Sequence, residues 1–339
     1  MADIRRIDCH VHYTASDVTP DEWRRRAEGQ QGMMRASLQR PAWRDLNVLT
    51  EVMDVTHVDL GVIMPNHVMW PELRGRSSAQ AYEDYNRSLS RDLQESGFGQ
   101  RYVAMAVVDP FGDREDIVQL ERSLQLPHIG GIGLIASYGN VTLDDPRFEP
   151  IYAVAQEHDV PITVHPGLAW PSWFDALRLR ESNFLMSGLG FFLSDAMAIF
   201  MMAHGGVFDR FPGVRFMFCQ LGGCAAMCCS RWYSAGVYAL ADQPPDAEQP
   251  PWTKHTLSDI LSHLWLDMHT QDRHAIRLVM AEAGDHGLVL GGDYPVTMPD
   301  LGLDYAMAEI QSLGLTPEVQ RKLERDNALA LLGKGFAPE

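Results

Sequence analysis

Cysteine is scarce in this chain: five residues among 339, at positions 9, 219, 224, 228 and 229. So few, so unevenly spaced, cannot build a disulfide framework, and the thiols are expected to stay reduced in a cytoplasmic setting. Basic charge is short as well. Lys and Arg number 28 against 45 Asp and Glu, a net charge of −17, and a field of that sign repels nucleic-acid phosphates and anionic lipid headgroups. Neither a nucleic acid nor a membrane surface is therefore expected as a partner. No long apolar run is uninterrupted: residues 184–203 come nearest, but Asp195, two glycines and two serines within them suit a buried helix beside a pocket. The opening MADIRRIDCHVHY places charge where an export leader needs an apolar stretch. Also lacking are a domain linker, an internal repeat and a glycine-rich phosphate loop after the first strand-like run.

What remains is a chain with 46% hydrophobic residues, long enough to bury about three quarters of its unfolded surface. Eight β-rich runs recur at residues 4–12, 60–64, 102–108, 131–135, 161–165, 214–220, 264–268 and 287–293, separated by helical patterns such as 144–158. That alternation predicts an α/β fold, a (β/α)8 TIM barrel forming a single domain over residues 1–339, in preference to an open doubly wound sheet. Long excursions at about 13–59 and 166–213 leave from the C-terminal ends of strands, where they would roof an active site like lids. The proline-rich stretch 242–251 reads as a surface loop.

The first run ends in His10-Val11-His12, and residues i and i+2 of a strand share a face, so both imidazoles turn toward the barrel mouth. The fifth run ends in His165, and the eighth in Asp293. In a closed barrel these strand ends open onto one cavity. Three imidazoles and one carboxylate suit a divalent metal, zinc first, with manganese or iron as alternatives.

The segments DCHVH, LTEVMDVTHVDLGVIMPN (49–66), LDDPRFEPIY (143–152), PITVHPG, GGVFDRFPGVRF (205–216) and GGDYP span nearly the whole chain. Together they resemble the amidohydrolase-related proteins grouped with aminocarboxymuconate semialdehyde decarboxylase, and with the resorcylate and carboxyvanillate decarboxylases. The resemblance implies a TIM barrel with one divalent metal held by His10, His12, His165 and Asp293. It also implies non-oxidative decarboxylation of a small aromatic or unsaturated carboxylic acid. One departure stands out: where those decarboxylases carry a catalytic His before Gly-Gly, this chain has Gln220, in FCQLGG. An amide can hydrogen-bond a substrate but takes no proton near neutral pH. His269, just past the seventh run, and Asp293 are then the acid–base candidates, with Gln220 as a hydrogen-bonding group. Binuclear relatives bridge two metals with a modified Lys on the fourth strand; GGIGLIASYG has none, so a single metal is expected.

Trp170 and Trp173 are candidates to stack on a planar substrate, and Arg44 and Arg231 to pair with its carboxylate. In some relatives an Arg enters the site from a neighbouring subunit, which suggests a homodimer or larger homo-oligomer here. Two other functions stay open: hydrolysis of a lactone or amide by a metal-activated water, and ligand binding without turnover. Cys224 and Cys228 lie one helical turn apart but lack a further ligand at suitable spacing, so they are expected as core residues. His204, before Gly-Gly, is expected on the opposite face of the barrel.

Overall fold

The computed structural model describes residues 4–28, 32–65, 77–167, 171–241, 243–244, 250–269 and 271–333. Eight parallel strands follow one another around the sheet in chain order. They are β1 (Ile7–Val11), β2 (Leu60–Ile63), β3 (Tyr102–Ala106), β4 (Ile129–Ile135), β5 (Ile162–His165), β6 (Phe216–Phe218), β7 (Trp265–Asp267) and β8 (Leu288–Val289). The ring closes beyond the formal end of β8: Cys9 N–H donates to the Leu290 carbonyl at 2.9 Å, Asp293 N–H to His10 at 2.7 Å, and His12 N–H to Tyr294 at 2.8 Å. All eight expected strands are present. The sixth and eighth are shorter than their apolar runs, because the chain turns sharply at Gln220 and at Asp293.

These strands are covered on both faces, so they read as near-continuous apolar runs, and β3 is buried at every position. Ile7, Cys9, Val62, Val103, Met105, Met217, Cys219 and Val289 form an inner cluster together with Leu331 and Leu332 of the helix Asn327–Leu332. That helix plugs the N-terminal end of the ring: Arg215 Nε donates to Leu331, Trp265 Nε1 to Asn327, and Asn327 Nδ2 to Leu288, all at strand starts. The other faces pack against surrounding helices such as Ser78–Glu95, N-capped by Ser77, and Arg114–Ser123, which begins with a reciprocal Asp113/Asp116 capping box. Ends of this kind satisfy the first free N–H groups of each helix, so the apolar face can be buried without orphaned donors.

The excursion after β1 holds the helices Pro20–Glu28, Gly32–Leu38 and Leu46–Val55; the one after β5 holds Phe191–His204. Among the described residues, Met186–His204 is the one helical stretch long and apolar enough to cross a membrane, and 44% of it is buried inside the protein. Its buried side includes Asp195, Ile199 and Met202, packed onto the turn after β6.

Candidate metal centre

Strand β1 delivers its two imidazoles through an irregularity. The pairing with β2 shifts register between Asp8 and Val11. Ile7 and Cys9 belong to the inner cluster and Val11 to the outer one, so the simple alternation is broken once, and His10 and His12 both face the barrel mouth. From the far side, Gly291 and Gly292 bring the chain to Asp293. A side chain at Gly291 would overlap Asp267, and one at Gly292 would overlap Asp8, so two carboxylates leave room only for glycine there.

His10, His12, His165 and Asp293 converge, with one ligand atom from each within 4.8 Å of all the others. Their hydrogen bonds fix which atoms face inward. His10 Nδ1 is 2.8 Å from Asp267 Oδ2, His12 Nδ1 is 2.8 Å from the Met64 carbonyl, and His165 Nδ1 lies on the Pro166 carbonyl. Each outer nitrogen faces an acceptor and therefore carries the proton, which leaves three Nε2 lone pairs pointing at one another and at Asp293 Oδ1, 3.3 Å from His10 and 2.9 Å from His12. Acceptors converging in this way repel unless a cation lies between them, so the donor set fits a divalent metal with three imidazoles and one carboxylate.

Electrostatics agree. Burial, with His12 and His10 alongside, lowers the pKa of His165 well below its ordinary value, so it stays a neutral ligand. Burial alone would raise Asp293, but the neighbouring imidazoles, His10 and His269 first and then His12, hold it well below the usual carboxylate range. His10 is opposed by burial yet raised well above its usual value by Cys219, Asp267 and Asp293, surroundings that favour positive charge at this point.

Two further expected residues adjoin the cluster. His269 Nε2 is 3.4 Å from Asp293 Oδ2, and burial lowers its pKa despite that carboxylate. Its Nδ1 is buried without a hydrogen-bond partner among the described residues. Gln220 N–H donates to Asp267 Oδ1 at 2.8 Å, while its side-chain oxygen is buried and unpartnered among the described residues. Gln220, Leu221 and Asp293 all have φ near +55°, at +54°, +56° and +55°. That left-handed backbone costs non-glycine residues ~1 kcal/mol or more each and is held where the surroundings over-determine it, commonly at functional sites.

Other expected residues are not brought to the cluster. Arg44 is committed within the first excursion, its Nη2 donating to the Val18 carbonyl at 2.7 Å. Arg231 is exposed on the helix Cys229–Leu240, so in a single chain it does not meet the imidazoles. Trp173 packs on Phe174 and lines a separate cavity of about 150 Å³ beside the hairpin Ser137–Tyr138/Val141–Thr142. Trp170 lies outside the described residues. His204 is exposed, stacked on Trp252, and Cys224 and Cys228 are half-buried.

Sequence reasoning missed the supports. Asp267 spans three strand ends: its Oδ2 takes His10 Nδ1, and its Oδ1 accepts from Gln220 N and His269 N. Asp8 accepts from His10 N and Gly292 N, and burial raises its pKa to about 6 against those bonds. Trp43 stacks on His12 at 5.5 Å. Asp195 is wholly buried with neither oxygen hydrogen-bonded among the described residues, and burial raises its pKa well above the carboxylate range. Gly223 permits that approach, since a side chain there would overlap the Phe192 carbonyl one turn earlier on the same helix. The signal for Asp267 was available: it stands two residues before His269, as His10 does before His12.

A family model described as amidohydrolase matches residues 7–334. The chain belongs to the amidohydrolase family. This amidohydrolase is 23% identical over 291 residues to the 2-amino-3-carboxymuconate-6-semialdehyde decarboxylase of Dictyostelium discoideum, covering 85% of this chain and 77% of that one. It is 25% identical over 240 residues to a 2-keto-4-carboxy-3-hexenedioate hydratase of Sphingobium, covering 64% and 65%. Its fold matches a 5-carboxyvanillate decarboxylase of Novosphingobium aromaticivorans with a TM-score of 0.77 at 18% identity over 97% of both chains. That structure holds manganese and 3-methoxy-4-hydroxy-5-nitrobenzoic acid.

Proposed function

We propose that this amidohydrolase is a metal-dependent, non-oxidative decarboxylase of a small aromatic or unsaturated carboxylic acid. The reading is carried by the buried convergence of three imidazoles on Asp293 in a chain whose relatives include decarboxylases. His10, His12, His165 and Asp293 would hold the cation, which supplies positive charge opposite the substrate carboxylate and its neighbouring oxygen. Three nitrogens and one carboxylate favour zinc, with manganese as the competitor given the carboxyvanillate decarboxylase.

The chain's own residues then handle the proton. Nδ1 of His269, without a partner among the described residues, would take a proton from a water that enters the site with the substrate, as Nε2, 3.4 Å from Asp293 Oδ2, passes one to that carboxylate. Asp293 gives it to the carbon bearing the carboxylate; the C–C bond breaks, its electron pair returns to the ring or enol, and CO2 leaves. Asp293 ends as it began, and His269 ends as its other neutral tautomer, which proton exchange with water resets before the next turnover. Gln220 acts as a hydrogen-bonding group that orients the carboxylate, since an amide transfers no proton here.

The test is incubation of the metal-loaded protein with hydroxylated benzoic and unsaturated dicarboxylic acids while CO2 is followed. Release of one CO2 per product is expected. A product that gains water and releases no CO2 would replace this reading with hydrolysis or hydration.

A further inference from the structure

A second concave site opens away from the imidazoles, in the excursion after β1. The helices Pro20–Glu28 and Gly32–Leu38 and the turn Pro41–Trp43 enclose about 390 Å³, within the size range of small-molecule sites, and no residue of the imidazole cluster lines it. Trp23 and Leu38, both buried, supply an apolar surface; Arg24, Arg35, Arg40 and Arg44 line the same space, against a single acid, Glu28.

Four guanidinium groups around one cavity repel one another, and the arrangement is unexpected in a chain where acids outnumber bases 45 to 28. Surface arginines in such a chain ordinarily find a carboxylate. Among the described residues only Arg24 does so, meeting Asp21 at 3.1 Å in an exposed pair. Arg40 spends itself on the carbonyls of Pro295 and Val296. Arg44 donates to Val18, and its Nε is buried with no hydrogen-bond partner among the described residues. Cationic charge at Arg35, Arg40 and Arg44 with no carboxylate partner among the described residues, beside an indole, fits a ligand with an anionic head and an apolar body.

We propose that this groove binds a small organic carboxylate at a site separate from the metal centre. The two are mechanically joined. Trp23 lies 5.4 Å from Trp43, which stacks on His12 at 5.5 Å, and Arg40 holds the segment just after Asp293. An occupant that moves Trp23 or Arg40 therefore reaches elements that seat two of the four cation-facing side chains.

The inference is independent of which reaction the centre performs, and the test keeps the two apart. The protein, with metal supplied, is titrated with 4-fluorobenzoate, followed by 19F NMR and calorimetry, as wild type, as His165→Ala, and as an arginine double variant Arg24→Ala/Arg35→Ala built in the His165→Ala background, where the metal centre is disabled. Binding is expected in wild type and in His165→Ala, with at least tenfold weaker affinity in the arginine double variant at unchanged thermal midpoint. Absence of binding in wild type, equal affinity in the double variant, or loss of all binding in His165→Ala would each overturn the proposal. Displacement of the probe by an equal concentration of inorganic phosphate would overturn the apolar half of it.

Discussion

His10 Nδ1 and Asp267 Oδ2 are 2.8 Å apart, with both side chains inaccessible to solvent, and the second oxygen of Asp267 accepts the backbone N–H groups of Gln220 and His269. One carboxylate thus orients an imidazole of β1 and the turns after β6 and β7 together. Partners of this kind fix the tautomer and direction of a metal-facing histidine. Asp267→Asn should weaken metal affinity by ~10–100-fold through misorientation of His10, with the other three cation-facing residues untouched. Competition titration against a chelator measures this, and unchanged affinity would show that Asp267 is not the orienting group.

Trp43 is wholly buried, its ring stacked on His12 and its Nε1 donating to the Ser37 carbonyl at 3.0 Å. Trp43→Ala should cost ~3–5 kcal/mol of stability by leaving a cavity. Trp43→Phe, which keeps an aromatic ring and loses the hydrogen bond, should cost ~1 kcal/mol and leave metal binding nearly intact. Urea unfolding distinguishes the two variants. A small effect of Trp43→Ala would place the ring outside the core that seats His12.

Much of this was legible in the chain and some was not. Periodicity found all eight strands because parallel strands buried on both faces leave short apolar runs that end in Gly, Pro or His. His10, His12, His165 and Asp293 were readable because strand ends of a barrel share one mouth. Asp8, Asp267 and Asp195 were not, since a buried carboxylate is distinguished only by the partner it meets from another strand or helix. Arg44 misled because a guanidinium reaches several ångströms from its Cα, and local carbonyls captured it. The backbone at Gln220, with φ of +54°, carries no mark in residue type, glutamine being no special friend of that region.

Asp195 makes the pH dependence of stability specific. Its folded pKa is raised well above the carboxylate range, by burial first and then by Asp267, with His10 opposing. An unfolded Asp titrates near ~3.9. Between that value and the folded one, the folded chain holds more protons, so this group's stabilising contribution is full below the unfolded pKa and is lost as pH rises toward the folded pKa. Asp195→Asn, neutral at all pH, should therefore gain on wild type as pH rises. Urea midpoints of metal-free protein at acidic and mildly alkaline pH should show a widening gap; parallel curves would mean that Asp195 is not held protonated.

Gln220 contributes no ionisation of its own to the rate profile. Gln220→His would place a group of ordinary pKa ~6.5 at this position, and the pH profile of kcat should acquire a limb within about one unit of it. An unaltered profile would show that the side chain at 220 does not face the reacting atoms.

The most direct test is metal content and position. Purified protein should carry one divalent ion per chain by elemental analysis, seen in anomalous diffraction between the Nε2 atoms of His10, His12 and His165 and the carboxylate of Asp293, and His165→Ala should lose both the ion and turnover. A full equivalent of metal retained by His165→Ala, or an ion bound elsewhere in the wild type, would contradict the assignment of this centre.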